Sequence, residues 1–423
     1  MDNNWHTKEI GERIYARCQK LAKFSESSDK LTRVYLSKEH AQCNQQVARW
    51  MHEAGMSTWQ DAVGNLCARY EGQTSGAPAL LLGSHLDTVR NAGKYDGIAG
   101  VLTAIEVVGK LQQLDIRLPF AIEVVGFADE EGTRFGSTLL GSRGLTGQWQ
   151  PQWLQLPDAE KITIAQALET FGLAPEKIAQ ATRSADDFIG YMEVHIEQGP
   201  QLECANLAAG VVSAINGAKR MQMSVTGQAG HAGTVPMNMR QDALVGASEI
   251  VLCIEQIAKE QQVVATVGQL QCLPDSVNVI PGQVQFSLDI RSSDDAHRDR
   301  VLAQIIERAR EIAVHRSLEF SQHCFYQSDA TECDSYLQKL LNDACEKIQG
   351  RSMTLSSGAG HDAMAIAKLC PVAMLFLRCA KGISHHPSEA VTANDLAIGW
   401  QVLYQSVQQF AADYSLHGAS ASY

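Results

Sequence analysis

The chain has 423 residues, 45% of them hydrophobic, which suits two domains with sizeable cores better than one. Its net charge of −12 disfavours nucleic acid and anionic membranes as partners. The 11 cysteines are scattered, odd in number and without a C-x-x-C pair, which argues against a disulfide framework or zinc ribbon and for a reducing cytoplasm.

In chain order, the opening MDNNWHTKEI lacks the basic and apolar regions of a secretory signal. No apolar run approaches the roughly 20 residues of a membrane-spanning helix. ALLLGS (79–84) reads as a buried strand, and GIAGVLTAIEVVGKLQQL (97–114) has helical periodicity. FAIEVVGF (120–127) and YMEVHI (191–196) are further strand candidates, as is PVAMLFLRC (371–379). Their alternation with helices predicts an α/β sheet covered on both faces. Residues 215–328 differ in character. RMQMSVTGQ alternates like a half-exposed antiparallel strand, and the helix RQDALVGASEIVLCIEQIAKE follows. Strands at VVATVGQLQCL and VQFSLDIRS, the helix HRDRVLAQIIERAREIAVHR and a strand at LEFSQHCFY complete the segment. Strand, helix, two strands, helix, strand is the order of a ferredoxin-like α+β domain. The expectation is therefore a discontinuous α/β domain, residues 1–214 and 329–423, interrupted by an inserted domain at 215–328. The closing SLHGASASY reads as a frayed tail.

Open α/β sheets build sites at the C-terminal ends of their strands. His85 and Asp87 follow the first strand candidate; Asp129, Glu130 and Glu131 follow the second. His195, Glu197 and Gln198 lie at the end of the third, and His385 and His386 come after the last. Asp96 stands just before the helix that begins near Gly97. Each has an ordinary reading: a loop histidine, a solvent-facing acid, an aspartate capping a helix. Their coincidence at four strand ends is what points to a site. Imidazole and carboxylate without thiolate suit zinc, manganese or related divalent ions. Asp87 can accept the second ring N–H of His85 and so fix its tautomer. Neighbouring side chains at a strand end point apart, so one of Glu130 and Glu131 can bind metal while the other serves as general base.

The motifs GSHLDTV, YDGIAGV, ADEEGTRF, VHIEQGP, GHAGTVPM, VNVIPG, SGAGHDA and GISHHPSE span residues 83–389. In this order they resemble the M20-type metallohydrolases, most closely the branch of allantoate amidohydrolase, N-carbamoyl-L-amino acid hydrolase and β-ureidopropionase. The resemblance implies a catalytic domain holding two divalent ions, zinc or manganese with cobalt or nickel as alternatives. It also implies an inserted lid domain through which the chain forms a homodimer. By position, it implies that His85 and His195 bind metal, Asp96 bridges both ions, and Glu131 and His385 complete the second position. Glu130 is then the general base and His231, in the lid, the oxyanion donor. Asn278 and Arg291 would grip a substrate carboxylate, and Gly358, Ala359, Gly360 and His361 would line the pocket. Asp87 and Gln198 would brace the ligands from behind. Without the resemblance, Arg291 reads as a surface charge, Asn278 as a turn residue and His361 as a loop histidine. Two positions depart from the usual pattern: Val235 stands where threonine is common, and His386 where asparagine or serine is common. The implied reaction hydrolyses the terminal carbamoyl (ureido) group of a small carboxylate. The SGAGHDA loop points to allantoate, giving ureidoglycine, ammonia and carbon dioxide. N-carbamoyl-L-amino acids and 3-ureidopropionate are the alternatives, with an aminopeptidase, a deacylase or a non-catalytic metal-dependent binding protein more distant.

Overall fold

A computed structural model describes residues 2–417; the end of the expected tail lies outside the described residues. The chain opens with α1 (Asp2–Leu21), α2 (Lys38–Glu53), β1 (Ser57–Gln60), β2 (Leu66–Tyr70) and β3 (Ala79–His85). Then come α3 (Ile98–Gln113), β4 (Ala121–Phe127), α4 (Leu140–Leu145), α5 (Ile164–Phe171), β5 (Phe188–Ile196), α6 (Gln201–Ala205) and β6 (Ala209–Ile215). The middle of the chain holds β7 (Gly217–Thr226), β8 (Gly230–His231), α7 (Ala243–Gln261), β9 (Val264–Thr266), β10 (Leu270–Leu273) and β11 (Val279–Ile280). β12 (Gln283–Ser292), α8 (Asp295–His315), β13 (Glu319–Ser328) and β14 (Thr331–Glu332) follow. The chain ends with α9 (Ser335–Gln349), β15 (Thr354–Ser357), α10 (Ala363–Ile366), β16 (Val372–Leu377) and α11 (Ala393–His417). Residues divide into two compact units, Met1–Ser213 with Cys333–Tyr423, and Ala214–Glu332.

The sheet of the first unit is mixed, in the order β1-β2-β4-β3-β5-β16-β6 with β15 beside β6. β4, β3, β5 and β16 are mutually parallel neighbours, whereas β2 and β6 flank them antiparallel. Every residue of β3, β4 and β16 is buried. Burial on both faces is why these strands read as continuous apolar runs rather than alternating ones. α3, α9 and α11 supply the main core, where Leu102, Ile105, Leu341 and Leu403 join Leu80, Leu82 and Leu375. A separate apolar cluster around Tyr35, Phe135, Trp153 and Leu168 supports the loops that follow β4. The register sets His85 opposite Phe127 and His195 opposite Phe376, so the parallel strands end along one edge.

In the second unit the order β10-β12-β7-β13 is antiparallel throughout, and β9 also pairs with β12. β7 and β12 alternate as half-buried strands should: Met221, Met223 and Val225 share a core with Phe286, Leu288 and Ile290. Ile250 and Ile254 of α7 and Val301 and Ile305 of α8 cover them. The single strand expected over VVATVGQLQCL is two strands, β9 and β10. At the break, Gln269 N–H donates to Ser287 Oγ at 3.1 Å and Ser287 N–H to Gln269 O at 3.0 Å. The chain enters and leaves this unit side by side, Ala214–Ile215 pairing with Thr331–Glu332. No helix among the described residues is long and apolar enough to cross a membrane.

Candidate active site

Asp96 is the centre of the polar cluster at the strand ends. It does not cap α3: the N-cap is Gly97, at φ +68° and without a side-chain bond. The Asp96 carboxylate turns the other way, with Oδ1 3.2 Å from His85 Nε2 and 3.1 Å from His195 Nε2. Its Oδ2 lies 3.5 Å from His385 Nε2, which in turn is 3.4 Å from Glu131 Oε1. One carboxylate thus joins two donor sets, His85–Asp96–His195 and Asp96–Glu131–His385, each with ligand atoms within 4.8 Å of one another. Gly97 is required for this approach, since a Cβ there would stand 2.5 Å from three atoms of the His85 ring.

The outer nitrogen of each buried histidine is occupied. His85 Nδ1 lies 3.3 Å from Asp87 Oδ1 and 3.2 Å from Asp87 O, and His195 Nδ1 lies 2.9 Å from Ile196 O. Such acceptors fix the tautomer and leave both Nε2 atoms facing Asp96 with a lone pair to offer. Asp87 does more than its spacing suggested, because its carboxylate also accepts the backbone N–H groups of Glu130 (3.0 Å) and Glu131 (3.2 Å). Gln198 Nε2 donates to Asp96 Oδ2 at 2.7 Å, and Ser384 Oγ lies at the same distance.

Charge is concentrated here. Against the opposing effect of burial, the Asp96 carboxyl is held well below its ordinary range, chiefly by His195. His85 is held well above its own, despite burial, by hydrogen bonds to Asp87 and Asp96. The hydrogen bond to Asp96 pushes His385 up to about 9. Burial, then the charge of Asp96, pushes Glu131 up to about 7, and burial with the charge of Glu131 lifts Glu130 well above the carboxylate range. Convergent imidazole nitrogens and carboxylate oxygens are a donor set that could hold a divalent cation, whose binding would displace the protons they carry.

Other candidates land as follows. Glu130 and Glu131 do not diverge on a strand; both lie in the loop beyond β4, and their carboxylates come within 4.8 Å of each other and of His85. Asp129, expected at the solvent, is fully buried, and burial followed by the Asp87 charge raises its carboxyl well above the usual range. Arg134 ties this loop to Asp158 (3.0 Å) and to the carbonyls of Tyr35 and Leu36. His386 turns away to Ser388 Oγ, 2.6 Å from its Nδ1. Glu197 accepts the backbone N–H groups of Gln201 and Leu202 at the start of α6. His361 is buried edge-on to His195, ring centroids 4.5 Å apart, with Nε2 2.7 Å from Ser357 Oγ. The Gly358–Ala359–Gly360 loop passes Glu130, whose Oε1 is 3.9 Å from where a Gly360 Cβ would stand. In the second unit, His231 ends β8 opposite Val279, and Ala232 N–H donates to Asn278 O at 2.9 Å. Arg291 Nε donates to Asp289 at 2.7 Å.

Three residues went unremarked in the sequence: Ser384, Glu389 and Glu193. Glu193 accepts Ser84 O–H at 2.7 Å and Ala363 N–H at 3.2 Å behind His195. An acid inside the apolar strand YMEVHI was the available signal, since buried charge requires partners.

Comparison with known proteins gives concordant results. The Peptidase family M20/M25/M40 profile matches residues 81–409. The chain is 39% identical over 402 residues to the N-carbamoyl-L-amino-acid amidohydrolase of Pseudomonas sp. (strain NS671), covering 94% of this chain and 97% of that relative. It is 38% identical over 432 residues to the allantoate deiminase of Arabidopsis thaliana, covering 94% and 82% respectively. Among solved structures, an amidase of the hydantoinase/carbamoylase family from Burkholderia multivorans matches with a TM-score of 0.89 at 31% identity, over 95% of this chain and 98% of that one.

Proposed function

We propose a reaction for this site on one premise: the chain belongs to peptidase family M20/M25/M40. It is a hydrolase of C–N bonds, and in our reading its substrate is a small carboxylate bearing a terminal ureido group. The observation that carries this is the shared Asp96, which joins two ligand sets with Glu130 close to both. His85 and His195 would hold one divalent ion and Glu131 and His385 the other, with Asp96 between. Ions bound there supply a water of lowered pKa and a Lewis acid for the ureido carbonyl. Glu130 takes the proton from the attacking water at its carboxylate and returns it to the departing ammonia. His231 is assigned the hydrogen bond to the oxyanion, and Asn278 and Arg291 the substrate carboxylate, for which a guanidinium fork is well shaped. Homodimerisation through the second unit belongs to the same proposal.

Within the class we place allantoate first. This preference rests on the resemblance of the SGAGHDA loop, with Gly360 where carbamoylases commonly carry alanine, to the allantoate enzymes. N-carbamoyl-L-amino acids form the second reading, supported by 39% identity to a hydrolase of that name. The test is ammonia release from allantoate, N-carbamoyl amino acids, 3-ureidopropionate and a dipeptide, each with zinc or manganese added. Allantoate is expected to be fastest. Silence from every ureido compound would end the reading.

A further inference from the structure

Glu389 lies four residues beyond His385 and is 4% exposed. Its Oε1 accepts the backbone N–H of Tyr95 at 2.8 Å and that of Asp96 at 3.2 Å. Its Oε2 lies 3.1 Å from Ser384 Oγ, which is 2.7 Å from Asp96 Oδ2. Ser384 Oγ therefore lies within hydrogen-bond distance of both carboxylates, nearer Asp96. The fit is tight: a Cβ on Gly93 would fall 2.1 Å from Glu389 Cδ and 2.3 Å from Oε1. Only a glycine lets the 93–96 segment wrap this carboxyl. Two loops, each carrying one proposed ligand (Asp96 on one, His385 on the other), are thus joined by a single buried acid that belongs to neither ligand set.

We propose that Glu389 is a positioning residue: it locks the Asp96 loop to the His385 loop and thereby sets the affinity of the Asp96–Glu131–His385 position, without touching metal or substrate. This rests on the two-ion reading of the site. The position built on His85 and His195 should be less affected. Those histidines are held from other directions, by Asp87 and by the Ile196 carbonyl. Side chains that orient ligands in this way typically contribute about 10- to 100-fold in metal affinity.

The experiment is zinc titration of metal-free full-length protein against a chromophoric chelator, with bound zinc counted by elemental mass spectrometry and visible spectra recorded for the cobalt(II) forms. Wild type should bind two ions. Glu389→Ala should weaken one about 10- to 100-fold and the other, which shares Asp96, distinctly less, with an altered cobalt spectrum. Glu389→Gln, which retains an oxygen for the Tyr95 and Asp96 N–H groups, should recover most of the loss. Ser384→Ala should weaken the same position, and it decides the matter if Glu389→Ala does not fold. Two ions bound at wild-type affinity in Glu389→Ala, or in Ser384→Ala where the former cannot be made, would overturn the proposal. Equal weakening of both positions would also overturn it, as the mark of a merely structural acid. A wild type that binds no zinc would instead defeat the two-ion reading itself.

Discussion

Glu130→Gln separates chemistry from metal binding. Glu130 belongs to neither of the donor sets that share Asp96, although its carboxylate reaches within 4.8 Å of His85 and Glu131. The amide is nearly isosteric and leaves intact the bond from the Glu130 backbone N–H to Asp87 at 3.0 Å. Both ions should therefore remain. What disappears is the only proposed route for the proton from water to leaving ammonia. Loss of a positioned general base costs about 10²- to 10⁴-fold in rate, which corresponds to about 3–5 kcal/mol of activation free energy. The assay is steady-state ammonia release at saturating metal, with zinc content measured on the same preparation. The expected outcome is kcat down by that factor, KM little changed and two ions per chain. Turnover close to wild type would refute the assignment of the base. Loss of an ion would show that Glu130 is a ligand instead.

The adjacent histidines should behave oppositely. His385→Ala is expected to lose one ion and nearly all activity, whereas His386→Ala, which faces Ser388, should retain both within a few-fold; metal counts on the two variants check this. Gly97→Ala places a methyl 2.5 Å from the His85 ring at a φ of +68°, so chelator competition should show weakened zinc binding; wild-type affinity would contradict the required close approach. The metal-free chain should also lose stability as pH rises. His385, raised from 6.5 to about 9, stabilises the fold below its ordinary pKa, and that contribution vanishes through about 9. Glu131, raised from 4.5 to about 7, costs stability as it ionises across that interval. Melting temperature without metal should therefore fall from about pH 5 to about 9, while zinc binding tightens and releases protons. Melts at several pH values and calorimetry in buffers of different ionisation enthalpy test both, and a flat profile without proton release would refute the electrostatic picture.

Much of the central sheet was legible because parallel strands buried on both faces have no polar side to mark, and their apolar runs stand out. β3, β4, β5 and β16 fall within a few residues of the expected segments. β1 was not singled out, since its four residues are largely exposed and carry no apolar period. The split between β9 and β10 was also hidden, because it depends on how Ser287 of the partner strand bonds Gln269. Asp129 misled for a similar reason. Three consecutive acids after a strand look solvated, yet packing of the loop buries the first of them completely.

Which elements carry residues able to donate to a cation is legible in the sequence alone, because the chemistry of an imidazole or carboxylate travels with the residue and the strand ends are local features. Which atoms of those residues face one another was decided only by the tertiary structure. His385 and His386 are chemically identical neighbours; the left-handed backbone at His385, φ +55°, accompanies the turn of its ring toward Asp96. Asp96 reads locally as a helix cap, yet its carboxylate turns to face His85, His195 and His385. Its backbone is held by Glu389, 293 positions away in the chain. No local pattern encodes a contact at that separation, since hydrogen bonds between distant loops form only once the sheet has brought the strand ends to a common edge.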